Sequence, residues 1–191
     1  FYNDEITGAL DRRARMLQDR GFYLPFTPKI VGEGKALGFI RKVNEFPIFL
    51  TDSKTIINLF NQSQTVGAYY DDRTGIYYIN RDIYETLSTN QRTVLLDSMV
   101  AHEAGHDLLA EYSHLFTDDV NEALAFAFQI ALRSLTDNIS WEEAEAKEIA
   151  AFPDAAVPYQ TILPADLKSA DAILGLFRDL TVAKPDDLNG L

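Results

Sequence analysis

An α+β fold is expected from this chain: a leading helix, a small mixed β-sheet with a hairpin, and then a run of helices. Three observations lead there. Between Pro28 and Asn80, short β-prone segments alternate with glycine, proline and charge. From Ser88 onward, apolar residues recur at helical spacing behind serine and threonine caps. Finally, Asp71-Asp72-Arg73-Thr74-Gly75 between two tyrosine-bearing runs has the composition of a hairpin turn.

The elements follow in order. Asn3–Arg20 reads as an amphipathic helix ending before Gly21. Extended segments are expected at Pro28–Val31, Ala36–Arg41, Pro47–Leu50 and Ile56–Phe60. Gln64–Tyr70 and Ile76–Asn80 form the hairpin, in which Tyr69-Tyr70 and Tyr77-Tyr78 each put one ring on either face. A short helix is expected within Asn80–Leu87. Ser88 and Gln91 are spaced as an S-x-x-Q capping box, opening a helix that runs to about Tyr112. Val94, Leu95, Met99, Val100, Leu108 and Leu109 give it apolar surface. Thr117 is an N-cap, Asp118 and Asp119 suit a positive helix N-terminus, and the helix they open runs to about Leu135. Ser140 and Glu143 cap another helix through about Phe152. Pro153–Pro164 reads as a loop, Ala165–Leu180 as a last amphipathic helix, and Lys184–Leu191 as a frayed tail.

A chain of 191 residues with 47 % hydrophobic content is expected to form one domain, 1–191, with a substantial core. No apolar run approaches the roughly eighteen residues of a membrane span. The formal charge of −12 excludes a nucleic-acid or anionic-membrane surface as the expected partner. Absence of cysteine removes disulfides and thiol chemistry. The chain opens on Phe1 rather than Met, and export after loss of a signal peptide is the expectation drawn from it, with cytoplasmic residence as the alternative.

All three histidines lie within thirteen residues: His102, His106 and His114. The first two frame His102-Glu103-Ala104-Gly105-His106, which is H-E-x-x-H. On a helix, residues four apart are separated by about 40° around the axis, so both imidazoles leave one face, one turn apart. That spacing suits two nitrogens on a single metal ion. Glu103, about 100° around from His102, can reach a water there without joining the ligands. Gly105 costs about 1 kcal/mol of helix stability relative to alanine, and its small size is compatible with close approach of a metal or a neighbouring strand.

This stretch resembles the zincin metallopeptidases, whose shared signature is H-E-x-x-H on an active-site helix. The resemblance implies a zinc ion held by His102 and His106, with Glu103 as general base, and a peptide or protein substrate. It also implies that one strand of the 64–80 hairpin is a sheet-edge strand lying antiparallel to bound peptide. Plain cross-strand packing of the tyrosines is the competing reading of that hairpin. A third ligand is still needed, since catalytic zinc takes three protein ligands and a water.

Glu122 is the leading choice. Asn121-Glu122-Ala123 is similar to the N-E-A stretch of the glutamate helix in gluzincins, the zincins whose third ligand is a glutamate on the following helix. The residues support the same position independently. The first helix overshoots His106 by roughly 9 Å and Glu122 lies about 6 Å into the next, so an antiparallel pair brings them level. Its helix is rich in alanine, leucine and phenylalanine, and a carboxylate turned inward by such a helix needs a cation or hydrogen bonds. Against it, Asp119, Glu122, Gln129 and Arg133 share one stripe, which also reads as a solvated polar edge. Thermolysin-like enzymes carry an aspartate four residues after the ligand; here that position is Phe126.

His114 is the rival, but metzincins place their third histidine six residues after the second with a glycine between. Here the spacing is eight and Leu109 holds the glycine position. Asp118 or Asp119, in the manner of aspzincins, is the remaining option. Tyr112, His114 and Tyr159 are the candidates for stabilising an oxyanion. The expected function is therefore a zinc endopeptidase of small gluzincin type. The alternative is a zinc-stabilised binding or regulatory protein without useful proteolysis.

Overall fold

A computed structural model describes residues 27–33, 45–60, 67–71 and 73–182, together with isolated positions between 4 and 19. Those isolated positions, Asp4, Gly8, Asp11, Arg12, Arg15, Met16 and Asp19, are helical. The limits of the expected first helix, the segment Ala36–Arg41 and the tail Lys184–Leu191 lie outside the described residues. The architecture is α+β, with a small mixed sheet and many helices. No described helix is long and apolar enough to cross a membrane. The chain clusters into two compact units, Phe1–Glu103 and Ala104–Leu191.

In the first unit the strands are β1 (Thr27–Glu33), β2 (Glu45–Thr51), β3 (Ala68–Asp71) and β4 (Ile76–Asn80), arranged in the order β1-β2-β4-β3. β1 pairs parallel to β2 and β2 parallel to β4, while β3 is antiparallel to β4. Parallel neighbours require a crossover, and the β2–β4 connection carries helix α1 (Ser53–Phe60). Here the structure departs from the expectation of an extended segment at Ile56–Phe60. Asp52 caps a helix instead: its Oδ1 accepts from the Thr55 N–H at 2.7 Å, and its carbonyl accepts from the Ile56 N–H at 3.1 Å. Hydrogen bonding from the Thr55 hydroxyl and from its amide holds the Asp52 carboxyl below its ordinary pKa.

The hairpin turns as its composition requires. Gly75 takes φ 68°, and the Thr74 and Gly75 amides both donate to the Asp71 carbonyl, at 3.2 and 2.7 Å. Tyr70 faces Tyr77 and Tyr69 faces Tyr78 across the ladder, so the two pairs occupy opposite faces. Asn80 caps α2 (Arg81–Glu85), its side chain accepting from the Asp82 N–H.

α3 (Thr89–Leu109) runs from the first unit into the second. The second unit is otherwise built round α4 (Asp118–Asp137), which packs against α5 (Trp141–Ala151), α6 (Ala156–Ile162) and α7 (Ala170–Val182). Every residue of α4 from Ala123 to Leu132 is buried, as expected for a helix apolar on nearly all sides. Phe126 packs on Tyr159 with ring centres 5.4 Å apart, and Phe128 on Phe177 at 4.5 Å. Each such buried ring contributes about 1.5–3 kcal/mol. The helix ends at Asn138, whose left-handed φ of 52° is one that asparagine tolerates.

Helix α6 corrects the expectation of a loop across Pro153–Pro164. Pro158 does not break it, because the proline sits in the first turn, where no intrahelical N–H bond is made. Ala156 and Tyr159 on this short helix are wholly buried, so packing stabilises a segment that sequence punctuation marks as irregular. At the other end, Ala165–Leu167 forms a 3-10 turn before α7, so the last regular helix starts five residues later than expected.

Candidate metal centre

The capping box at the start of α3 forms reciprocally. The Ser88 N–H donates to Gln91 Oε1 at 3.0 Å and the Gln91 N–H donates to Ser88 Oγ at 3.4 Å. From there the helix carries His102, Glu103 and His106, all partly exposed, between the buried Ala101, Ala104 and Leu109. It keeps α geometry only to Leu109 and then tightens into a 3-10 segment, Ala110–Leu115. The α-helix therefore stops short of the expected Tyr112, although the chain stays helical beyond it.

The return into α4 is held at both ends. The Thr117 side chain accepts from the Val120 N–H at 3.3 Å. The Asn121 side-chain amide donates to the Ser113 carbonyl at 3.3 Å, occupying one of the acceptors that a helix end leaves over. Gly105 sets how closely α3 and α4 approach. A Cβ added there would lie 3.1 Å from the Ala125 Cα and 3.4 Å from a Phe128 ring carbon. The small residue thus admits the close approach of a neighbouring helix.

These contacts bring together a group of three. One nitrogen from each of His102 and His106 and one carboxylate oxygen of Glu122 all lie within 4.8 Å of one another. His106 Nε2 and Glu122 Oε1 are 3.2 Å apart. Ligand atoms tetrahedrally placed around zinc, with bonds of about 2.0–2.1 Å, stand roughly 3.3 Å apart, so the separation suits a shared ion. The His106 side chain is 17 % exposed and that of Glu122 46 %, leaving the group open to solvent on the glutamate side. Two imidazoles and a carboxylate are donors for a divalent cation of intermediate softness. Between Arg92 and Arg133 the sequence has no lysine or arginine but seven carboxylates, and that local negative charge favours a cation as well.

Among the described residues this group leaves out His114, Asp118 and Asp119, all exposed. The polar stripe of α4 divides: Glu122 joins the histidines, while Gln129 and Arg133 turn to the buried Glu148 on α5. Gln129 Nε2 lies 2.5 Å from Glu148 Oε2 and Arg133 Nη1 lies 3.4 Å from Oε1. A solvated edge does not describe these residues. Phe126, at the position of the thermolysin-type aspartate, is buried against Tyr159. The Tyr159 hydroxyl in turn donates to Glu145, and burial together with that bond raises its pKa well above the phenol range. Tyr112 is also buried.

One residue near the motif escaped sequence reasoning. The Tyr77 hydroxyl on β4 donates to the main-chain carbonyl of Glu103 at 3.3 Å. Strand alternation puts Tyr77 on one sheet face, but nothing in the sequence indicates which helix residue that face meets. Comparison with protein families, with curated proteins and with solved structures finds no match to this chain.

Proposed function

We propose that the protein is a zinc-dependent endopeptidase. The observation that carries this reading is the convergence of His102, His106 and Glu122 within 4.8 Å, with Glu103 following His102 in the chain. His102, His106 and Glu122 would hold the ion, a donor set of the type found at catalytic zinc. Bound there, zinc would supply Lewis acidity, lowering the pKa of a water towards about 7 and polarising the substrate carbonyl. Glu103, next to a ligand but outside the set, takes the proton of the attacking water on its carboxylate and returns it to the leaving amine. β3 is the end strand of the described sheet, and its main-chain groups would receive an extended peptide by strand addition. The surplus of carboxylates around the motif favours substrates with neutral or basic side chains near the cleaved bond.

The test combines metal analysis with digestion of a peptide library. Wild type is expected to bind one zinc per chain and to cleave, with chelation abolishing cleavage. Glu103→Gln is expected to retain zinc and lose roughly 10²–10⁴ in turnover. Cleavage at the wild-type rate by Glu103→Gln would sink the mechanism. Zinc binding without cleavage by wild type, with unfolding on chelation, would instead establish a zinc-stabilised binding protein.

A further inference from the structure

We propose that Tyr77 is a positioning residue for Glu103, an inference that rests on the peptidase reading above. Tyr77 stands on β4, which is hydrogen-bonded on both sides, parallel to β2 and antiparallel to β3. Its side chain is therefore carried by a well-fixed strand. The residue is 3 % exposed, and its ring lies against Tyr70 of β3 with centres 4.7 Å apart. From there the hydroxyl donates to the Glu103 carbonyl at 3.3 Å.

An interior helix carbonyl already accepts from the amide four residues on, here Asp107, so the helix does not need this second donor. A buried phenol does need an acceptor. The choice of acceptor gives the contact its consequence, because the bond pins the backbone of the general base between the two histidines. β4 thereby serves as a common reference: its ladder holds the end strand β3, and Tyr77 holds Glu103. A peptide added to β3 and the carboxylate that moves its protons are then kept in register through one strand. Displacement of a reacting group by about 1 Å costs up to roughly 100-fold in rate, so a tie of this kind acts on turnover more than on binding.

Tyr77→Phe tests this while keeping the ring and its packing on Tyr70. A fall of about tenfold in kcat is expected, with KM and zinc affinity within about twofold of wild type. In the Glu103→Gln background the same substitution is expected to leave the residual rate unchanged, because a residue acting through Glu103 has nothing left to position. A merely structural role would lower both backgrounds by the same factor, and that result would overturn the proposal. So would an unchanged kcat in Tyr77→Phe. An assay independent of activity uses the metal-free protein, where loss of the bond is expected to speed amide exchange at Asp107 by roughly three- to tenfold. Unchanged exchange there would refute the tie itself. Absence of any zinc-dependent cleavage by wild type would count against the peptidase reading, while the exchange measurement would still decide whether Tyr77 restrains Glu103.

Discussion

Helices α3 and α4 supply the same cluster by different routes. α3 contributes two donors four residues apart, so forming the helix is enough to put His102 and His106 on one face. α4 contributes one donor, and Glu122 arrives only after several non-local conditions are met. The chain must tighten at Ala110–Leu115, Asn121 must meet Ser113, and Gly105 must admit Ala125. Burial differs too: α4 is enclosed from Ala123 to Leu132, whereas α3 around the motif keeps three partly exposed polar groups. A cluster with one local half and one tertiary half should lose metal binding in two distinguishable ways.

The largest effect is expected where the halves meet. His106→Ala removes the proposed ligand that stands 3.2 Å from Glu122 and should lower zinc affinity by more than about 100-fold, the upper loss seen when only a ligand's supporting partner is removed. Titration against a competing chelator measures this. Glu122→Ala removes the tertiary half alone. A loss of at least about tenfold is expected, with helix content unchanged by circular dichroism; unchanged affinity would exclude Glu122 from the ligand set. Gly105→Val leaves every donor in place and attacks the approach of the helices. Overpacking against Ala125 should cost about 1–3 kcal/mol in denaturant unfolding and weaken zinc as well.

The smaller effects sharpen the comparison from the local side. Ser88→Ala removes the capping box of α3 and should cost about 1 kcal/mol of stability while zinc affinity stays as in wild type. His114→Ala is expected to change neither quantity, since that exposed residue stands outside the cluster. Weakened zinc binding in His114→Ala would reverse the choice between His114 and Glu122.

How much of this was legible in the sequence depends on the range of the interaction. The box at Ser88 forms both of its reciprocal bonds, and the hydroxyls of Ser140 and Thr117 accept from the amides three residues on, as their spacing implies. The turn at Gly75 does the same. Helix α1 is not legible in the sequence because the apolar content of Ile56–Phe60 also suits a strand, while the cap that favours a helix is Asp52, ahead of that segment. Helix α6 is not legible in the sequence because the three prolines of Pro153–Pro164 mark the segment as irregular, and burial of Tyr159 decides the matter. The fate of Gln129 and Arg133 was undecided for the same reason: their partner Glu148 lies on another helix.

The sequence by itself determined the histidine pair with its neighbouring glutamate, because a helix repeats at short range and places residues four apart on one face. Only the tertiary structure decided that Glu122, rather than His114, stands with that pair, and that the Tyr77 hydroxyl reaches the carbonyl of Glu103. Both outcomes depend on which surfaces of distant segments meet. That is settled by packing of whole elements, on which the spacing of residues along one element carries no information.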